Sequence, residues 1–89
     1  MPEYAITEHC AFELRRRGLT EEIIQPVLSS PEQRIELHPG RVVLQSRVRM
    51  GEAGKTYLLR VIVDIDRRPA EVVTAYRTSK FVKYWRESL

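Results

Sequence analysis

The sequence predicts an α+β fold in which an αα-hairpin packs on one face of a four-stranded antiparallel sheet. Three observations predict it. Two segments of helical period, each opened by a threonine, are separated only by Gly18 and Leu19. After Pro31 the apolar period changes from helical to two and stays so up to Arg77. Turn signals at Pro39-Gly40, Gly51–Lys55 and Asp66–Ala70 divide that stretch into four successive strands, as in a meander.

Glu3–Ile6 is short and has room for an extended edge segment. Thr7 caps a helix over Glu8–Arg17, with Gly18 just past its end. Glu8 in the first turn and Arg15–Arg17 in the last complement the helix dipole. Cys10, Ala11 and Leu14 form the buried stripe, while His9, Glu13 and Arg17 line another face. Thr20 caps the second helix, which offers Ile23, Ile24, Val27 and Leu28 for burial. Pro26 is expected to bend or shorten it, and Ser29-Ser30-Pro31 to end it.

Gln33–His38 then alternates, as does Arg41–Met50, with Val42, Leu44, Val48 and Met50 inward and Val43, Gln45, Arg47 and Arg49 outward. Thr56–Ile65 is the most apolar strand, with Arg60 on its outer side. Glu71–Arg77 is the last strand; Val73 and Ala75 are expected to face the helices, and Thr74 and Tyr76 to face away. Ser79–Glu87 has the length for about two turns of helix. In that helix Lys80 and Tyr84 would be neighbours, with Phe81, Val82 and Trp85 as the apolar anchor.

Length and composition limit the function. Eighty-nine residues make one domain, 1–89, and 43% hydrophobic with 30% charged residues is the composition of a globular chain. No apolar run reaches the roughly 20 residues of a membrane span, and the start lacks a signal peptide's regions. The single Cys10 excludes an internal disulfide, so a cytoplasmic location is expected. Two histidines and one cysteine make no metal-ligand cluster, and no cofactor is expected. GEAGK lacks the Gly-Lys-Ser/Thr of a phosphate loop.

Charge is unevenly distributed. Residues 1–40 carry a balance of −3, and residues 41–89 a balance of +6. That split favours a polyanion partner for the second half, nucleic acid first. Metal-independent RNA cleavage needs a base for the 2′-hydroxyl, cations for the phosphorane-like transition state and an acid for the leaving 5′-oxygen. Arg49, Arg60 and Lys80 are candidate cations, and Tyr76, Tyr84 and His38 are candidate acid and base. Arg47, Arg49, Arg77 and Lys83 are the candidate RNA-binding residues. Arginines on a solvated sheet face are also ordinary solubilising residues, which keeps a non-catalytic adaptor open as the alternative.

Two stretches resemble a small bacterial domain family of unknown function. HCAFELRRRGLTEEII, from His9 to Ile24, resembles its opening: a His, then Arg-Gly eight and nine positions on, then a capped acidic helix. VVTAYRTSKFVKYW, from Val72 to Trp85, is similar to its ending, with Thr-x-Tyr, a Lys and a final Tyr. His9, Arg17, Thr74, Tyr76, Lys80 and Tyr84 match the motif, whereas position 13, often basic in the family, is Glu. The family is similar in layout to the RelE/ParE/BrnT superfamily of type II toxin–antitoxin systems. That resemblance implies a RelE-like fold, endoribonuclease activity on mRNA, free or on the ribosome, and an acidic antitoxin partner. Short edge strands also permit a homodimer.

Overall fold

A computed structural model describes residues 4–87. The elements are β1 (Tyr4–Ile6), α1 (Glu8–Arg16), α2 (Glu21–Ser29), β2 (Gln33–His38), β3 (Arg41–Met50), β4 (Lys55–Asp64), β5 (Ala70–Thr78) and α3 (Phe81–Tyr84). The fold is α+β, and both long helices begin where threonines place them. Thr7 Oγ1 accepts from the Cys10 N–H at 3.0 Å, and Thr20 Oγ1 from the Ile23 N–H at 3.2 Å.

Gly18 closes α1 with φ +68°. The Leu19 N–H reaches the Leu14 carbonyl at 2.8 Å and the Gly18 N–H the Arg15 carbonyl at 3.2 Å, the paired bonds of a Schellman turn. Leu14 and Leu19 are both buried and complete its apolar contact. A Cβ at Gly18 would meet no atom within 4 Å, so Gly18→Ala exposes backbone strain alone. It is expected to cost about 1 kcal/mol and to lower Tm by about 4–8 °C in thermal unfolding.

The sheet differs from the sequence expectation. Its strand order is β1-β5-β4-β3-β2. The antiparallel meander β2–β5 is present, but β1 pairs parallel with β5, making a five-stranded mixed sheet. A three-residue strand carries no readable period, so neither its pairing nor its direction is visible in the sequence. Pro26 does not shorten α2, which runs on to Ser29, capped by Ser30 as expected, with Pro26 on the exposed side.

A bulge in β5 resets its faces. Ile62 pairs with Thr74 and Val63 with Val72, leaving Val73 as the extra residue. Val72 and Ala75 therefore both enter the helix-side core, correcting the expected pair Val73 and Ala75. That core joins Cys10, Leu14, Leu19, Ile24, Val27 and Leu28 of the helical hairpin to Val42, Leu44, Leu59, Val61 and Val63 of the sheet. Past the bulge, Tyr76 stands opposite Arg60 on the far face and Arg77 opposite Leu59 on the helix side.

Candidate functional site

The far face of the sheet is not the open basic surface that alternation suggests. The chain returns over it after β5. Val43, Gln45 and Leu58 are 0% exposed and Arg60 8%, although Val43, Gln45 and Arg60 read as outward residues. The covering segment is not a two-turn helix: α3 is a single turn, and Trp85 is extended at φ −74°, ψ 133°. Lys80 supplies no side-chain cap, and Phe81, Val82, Tyr84 and Trp85 are indifferent helix formers. Two glutamine side chains take backbone groups of the tail instead.

Gln45 Nε2 donates to Gln33 Oε1 at 2.7 Å and to the Tyr84 carbonyl at 3.1 Å. Gln33 donates to the Arg86 carbonyl and accepts from the Arg86 N–H at 3.1 Å. Register makes this possible, because Gln33, Gln45, Arg60 and Tyr76 occupy one row across four strands. Neither glutamine stands out in the sequence. Their only signal is a polar residue in each of two strands that later prove to be paired.

Arg60 lies at the centre of this row. Its Nε donates to Gln45 Oε1 at 2.9 Å and its Nη1 to the Tyr76 hydroxyl at 2.6 Å. Its guanidinium carbon lies 4.1 Å from the centroid of the Tyr84 ring and 5.7 Å from that of Tyr76. No carboxylate among the described residues pairs with it. The Tyr76 and Tyr84 rings meet edge to face, 6.3 Å apart at 71°.

The two phenols are driven in opposite directions. Burial pushes Tyr76 above its ordinary value, against the pull of Arg60. The Lys83 ammonium, and then the Tyr76 hydroxyl, hold Tyr84 below its own. Lys83 Nζ lies 5.1 Å from the Tyr84 ring centroid. Lys83, rather than Lys80, is therefore the lysine at Tyr84; Lys80 is exposed at the start of α3, where its N–H bonds Thr78 Oγ1. Val82, expected in the apolar anchor, is 102% exposed.

The remaining candidates separate. Arg47 stacks over Trp85 at 4.7 Å and is tied to Glu32 through Nε at 3.1 Å and Nη2 at 2.8 Å. Arg49 donates to the Gly54 carbonyl at 3.0 Å, in the loop between β3 and β4. Arg77 lies on the opposite face, 5.1 Å from the Tyr57 ring, so the four proposed RNA-binding residues do not share one surface. His38 is exposed opposite Arg41, four residues along β3 from the Gln45 row. At about 3.3 Å per residue that is beyond contact range.

His9, Arg17 and Thr74 belong to a second cluster at the sheet edge. Arg17 Nη1 donates to Thr74 Oγ1 at 2.9 Å and to the Ala75 carbonyl at 2.8 Å, where β1 no longer pairs with β5. Glu13 holds Arg17 at 3.1 Å and Arg16 at 2.8 Å, with His9 at 3.9 Å. Glu13 therefore organises the two guanidiniums, where a basic residue would repel them. Thr74 and Tyr76 share a face of β5, so Arg17 reaches the rim of the Arg60 row.

The Glu32–Arg47 pair steadies the entry to β2 and holds Glu32 down from 4.5 to about 2, chiefly through hydrogen bonds from Arg47. The carboxylate's contribution to stability is therefore complete above pH 4.5 and lost as pH falls toward 2. The effect is small, because water screens the pair. Thermal unfolding of Glu32→Gln against the parent should show a gap at neutral pH that closes near pH 2.

Among the described residues no helix is long and apolar enough to cross a membrane, and no group of three or more His, Cys, Asp or Glu is placed to hold a metal ion. No curated protein and no solved structure matches the chain. A family model described as "Domain of unknown function (DUF4258)" matches residues 6–77, from the end of β1 almost to the end of β5. It takes in Arg17, Arg60, Thr74 and Tyr76 and stops before the tail that carries Tyr84. With most of its length matched, helical hairpin and meander together, the chain belongs to the DUF4258 family.

Proposed function

We propose that this protein is a metal-independent endoribonuclease of RelE/BrnT-like type, acting as the toxin of a toxin–antitoxin pair. One observation carries the reading: a guanidinium with no carboxylate partner among the described residues lies between two phenols whose acidities are driven apart. Paired titratable groups separated in this way are the mark of an acid and a base. The helical hairpin packed on an antiparallel meander agrees with the layout that the superfamily resemblance implies.

In this reading Tyr84, the more acidic phenol, acts as phenolate and takes the proton of the RNA 2′-hydroxyl. The 2′-oxygen attacks the adjacent phosphorus, and the bond to the 5′-oxygen breaks. Tyr76, the less acidic phenol, gives its proton to that leaving oxygen. The products are a 2′,3′-cyclic phosphate and a 5′-hydroxyl. Arg60 and Lys83 offset the charge that builds on the phosphoryl oxygens. Lys80 remains a candidate grip on the neighbouring backbone.

The test is tightly induced expression, following growth and total RNA integrity, with purified protein assayed on single-stranded RNA in chelator. Growth arrest with cyclic-phosphate ends that persist in chelator supports the reading. Arrest with intact RNA moves the target elsewhere. RNA binding that falls steeply with salt, without cleavage, identifies the adaptor.

A further inference from the structure

Beside the Arg60 row an open cleft of about 350 Å³ is lined by Arg47, Phe81, Val82, Trp85 and Glu87. Its walls combine two aromatic rings, an exposed aliphatic side chain, a cation and a carboxylate. Arg47 is fixed by Glu32 and stacks on Trp85, so that wall is held before any ligand arrives. Glu87 is exposed and makes no ion pair among the described residues. Trp85 directly follows Tyr84, so a chain with its scissile phosphate beside Tyr84 and Lys83 can place an adjoining base here.

We infer that this cleft is a nucleobase subsite for single-stranded RNA, with Trp85 and Phe81 stacking the base and Glu87 reading guanine. The inference rests on the RNA reading of the Arg60 site. A stacking platform accepts any base, because each has a π face. The carboxylate discriminates. It only accepts hydrogen bonds, and guanine alone offers two adjacent donors, N1–H and N2–H, that match its two oxygens. Adenine and cytosine present an amino group beside an acceptor, and uracil a single N–H between two carbonyls. Reading that edge also excludes duplex RNA, whose bases already pair through it inside the helix.

Trp85 is the only tryptophan of the chain, so its fluorescence reports on the cleft directly. The probes are 2′-O-methyl tetranucleotides, which lack the attacking hydroxyl and so bind without being cleaved. The expected result is quenching by all of them, with those holding one guanine bound about tenfold more tightly than guanine-free ones. Glu87→Gln, at an exposed position, should bring the ratio close to one; losing the negative charge strengthens every probe alike, so the ratio and not the absolute affinity is the readout. No quenching by any probe, equal affinity for all, or a preference that survives Glu87→Gln would each overturn the subsite. Cleavage of ordinary RNA is scored separately. Cleavage without base preference sinks the subsite alone, whereas preference without cleavage keeps it and sinks the ribonuclease.

Discussion

Arg60→Met should lower Tm by about 12–24 °C, the thermal equivalent of about 3 kcal/mol for a domain of this size. The variant keeps an unbranched apolar stem on β4 but removes three interactions together. Gln45 Oε1 and the Tyr76 hydroxyl lose their donor, and the Tyr84 ring loses the cation against its face. A buried acceptor left without a partner costs about 1–3 kcal/mol, and a desolvated cation–π contact contributes about 2 kcal/mol. Relief acts the other way, since the guanidinium of a residue only 8% exposed, without a carboxylate, is itself costly to desolvate. The loss wins because the glutamine is fully buried and cannot turn to water, whereas the guanidinium already has its partners. Thermal unfolding of Arg60→Met, Gln45→Leu and the double variant should show the double costing less than the two singles together. An unchanged Tm for Arg60→Met would mean that the row holds no stability and that Arg60 is there for a ligand alone.

The helical hairpin was legible because its signals are local. Thr7, Thr20 and Gly18 act within a few residues of themselves, and each does in the fold what its type and position imply. Strands β2 to β4 were legible from alternation, and so was the placing of Tyr76 away from the helices. Their partners in the site were not. Gln45 reads as outward in a strand with one solvated face, and nothing near it in sequence says that residues 84–86 return to cover it. The bulge at Val73 shifts parity by one residue, which alternation alone cannot register. A continuous helix would put positions 80 and 84 together, which points to Lys80 rather than Lys83. One helical turn followed by extended Trp85 brings Lys83 to Tyr84 instead. The Arg17–Thr74 contact joins residues 57 positions apart, and only the resemblance, not periodicity, set those two side by side.

Tyr84→Phe is expected to reduce RNA cleavage by about 10²–10⁴-fold, the range for loss of a general base, while leaving Tm nearly unchanged. Phenylalanine keeps the ring that faces Arg60, and the Tyr84 carbonyl that Gln45 holds belongs to the backbone. The variant therefore separates chemistry from fold, which Arg60→Met cannot do. The pH profile distinguishes the two phenols. A phenolate base becomes more available as pH rises toward its pKa, and Tyr84 is held below its ordinary 10. A phenol acid is lost as it ionises, and Tyr76 is pushed above 10. The cleavage rate should therefore climb with pH below 10 and fall only above it. Lys83→Met removes the principal cause of the lowering, from an exposed position, so the rising limb should move to higher pH with the fold intact. Tyr84→Phe should abolish that limb. A limb that stays in place in Lys83→Met, or persists in Tyr84→Phe, would assign the base to another group and leave Tyr84 as packing for Arg60.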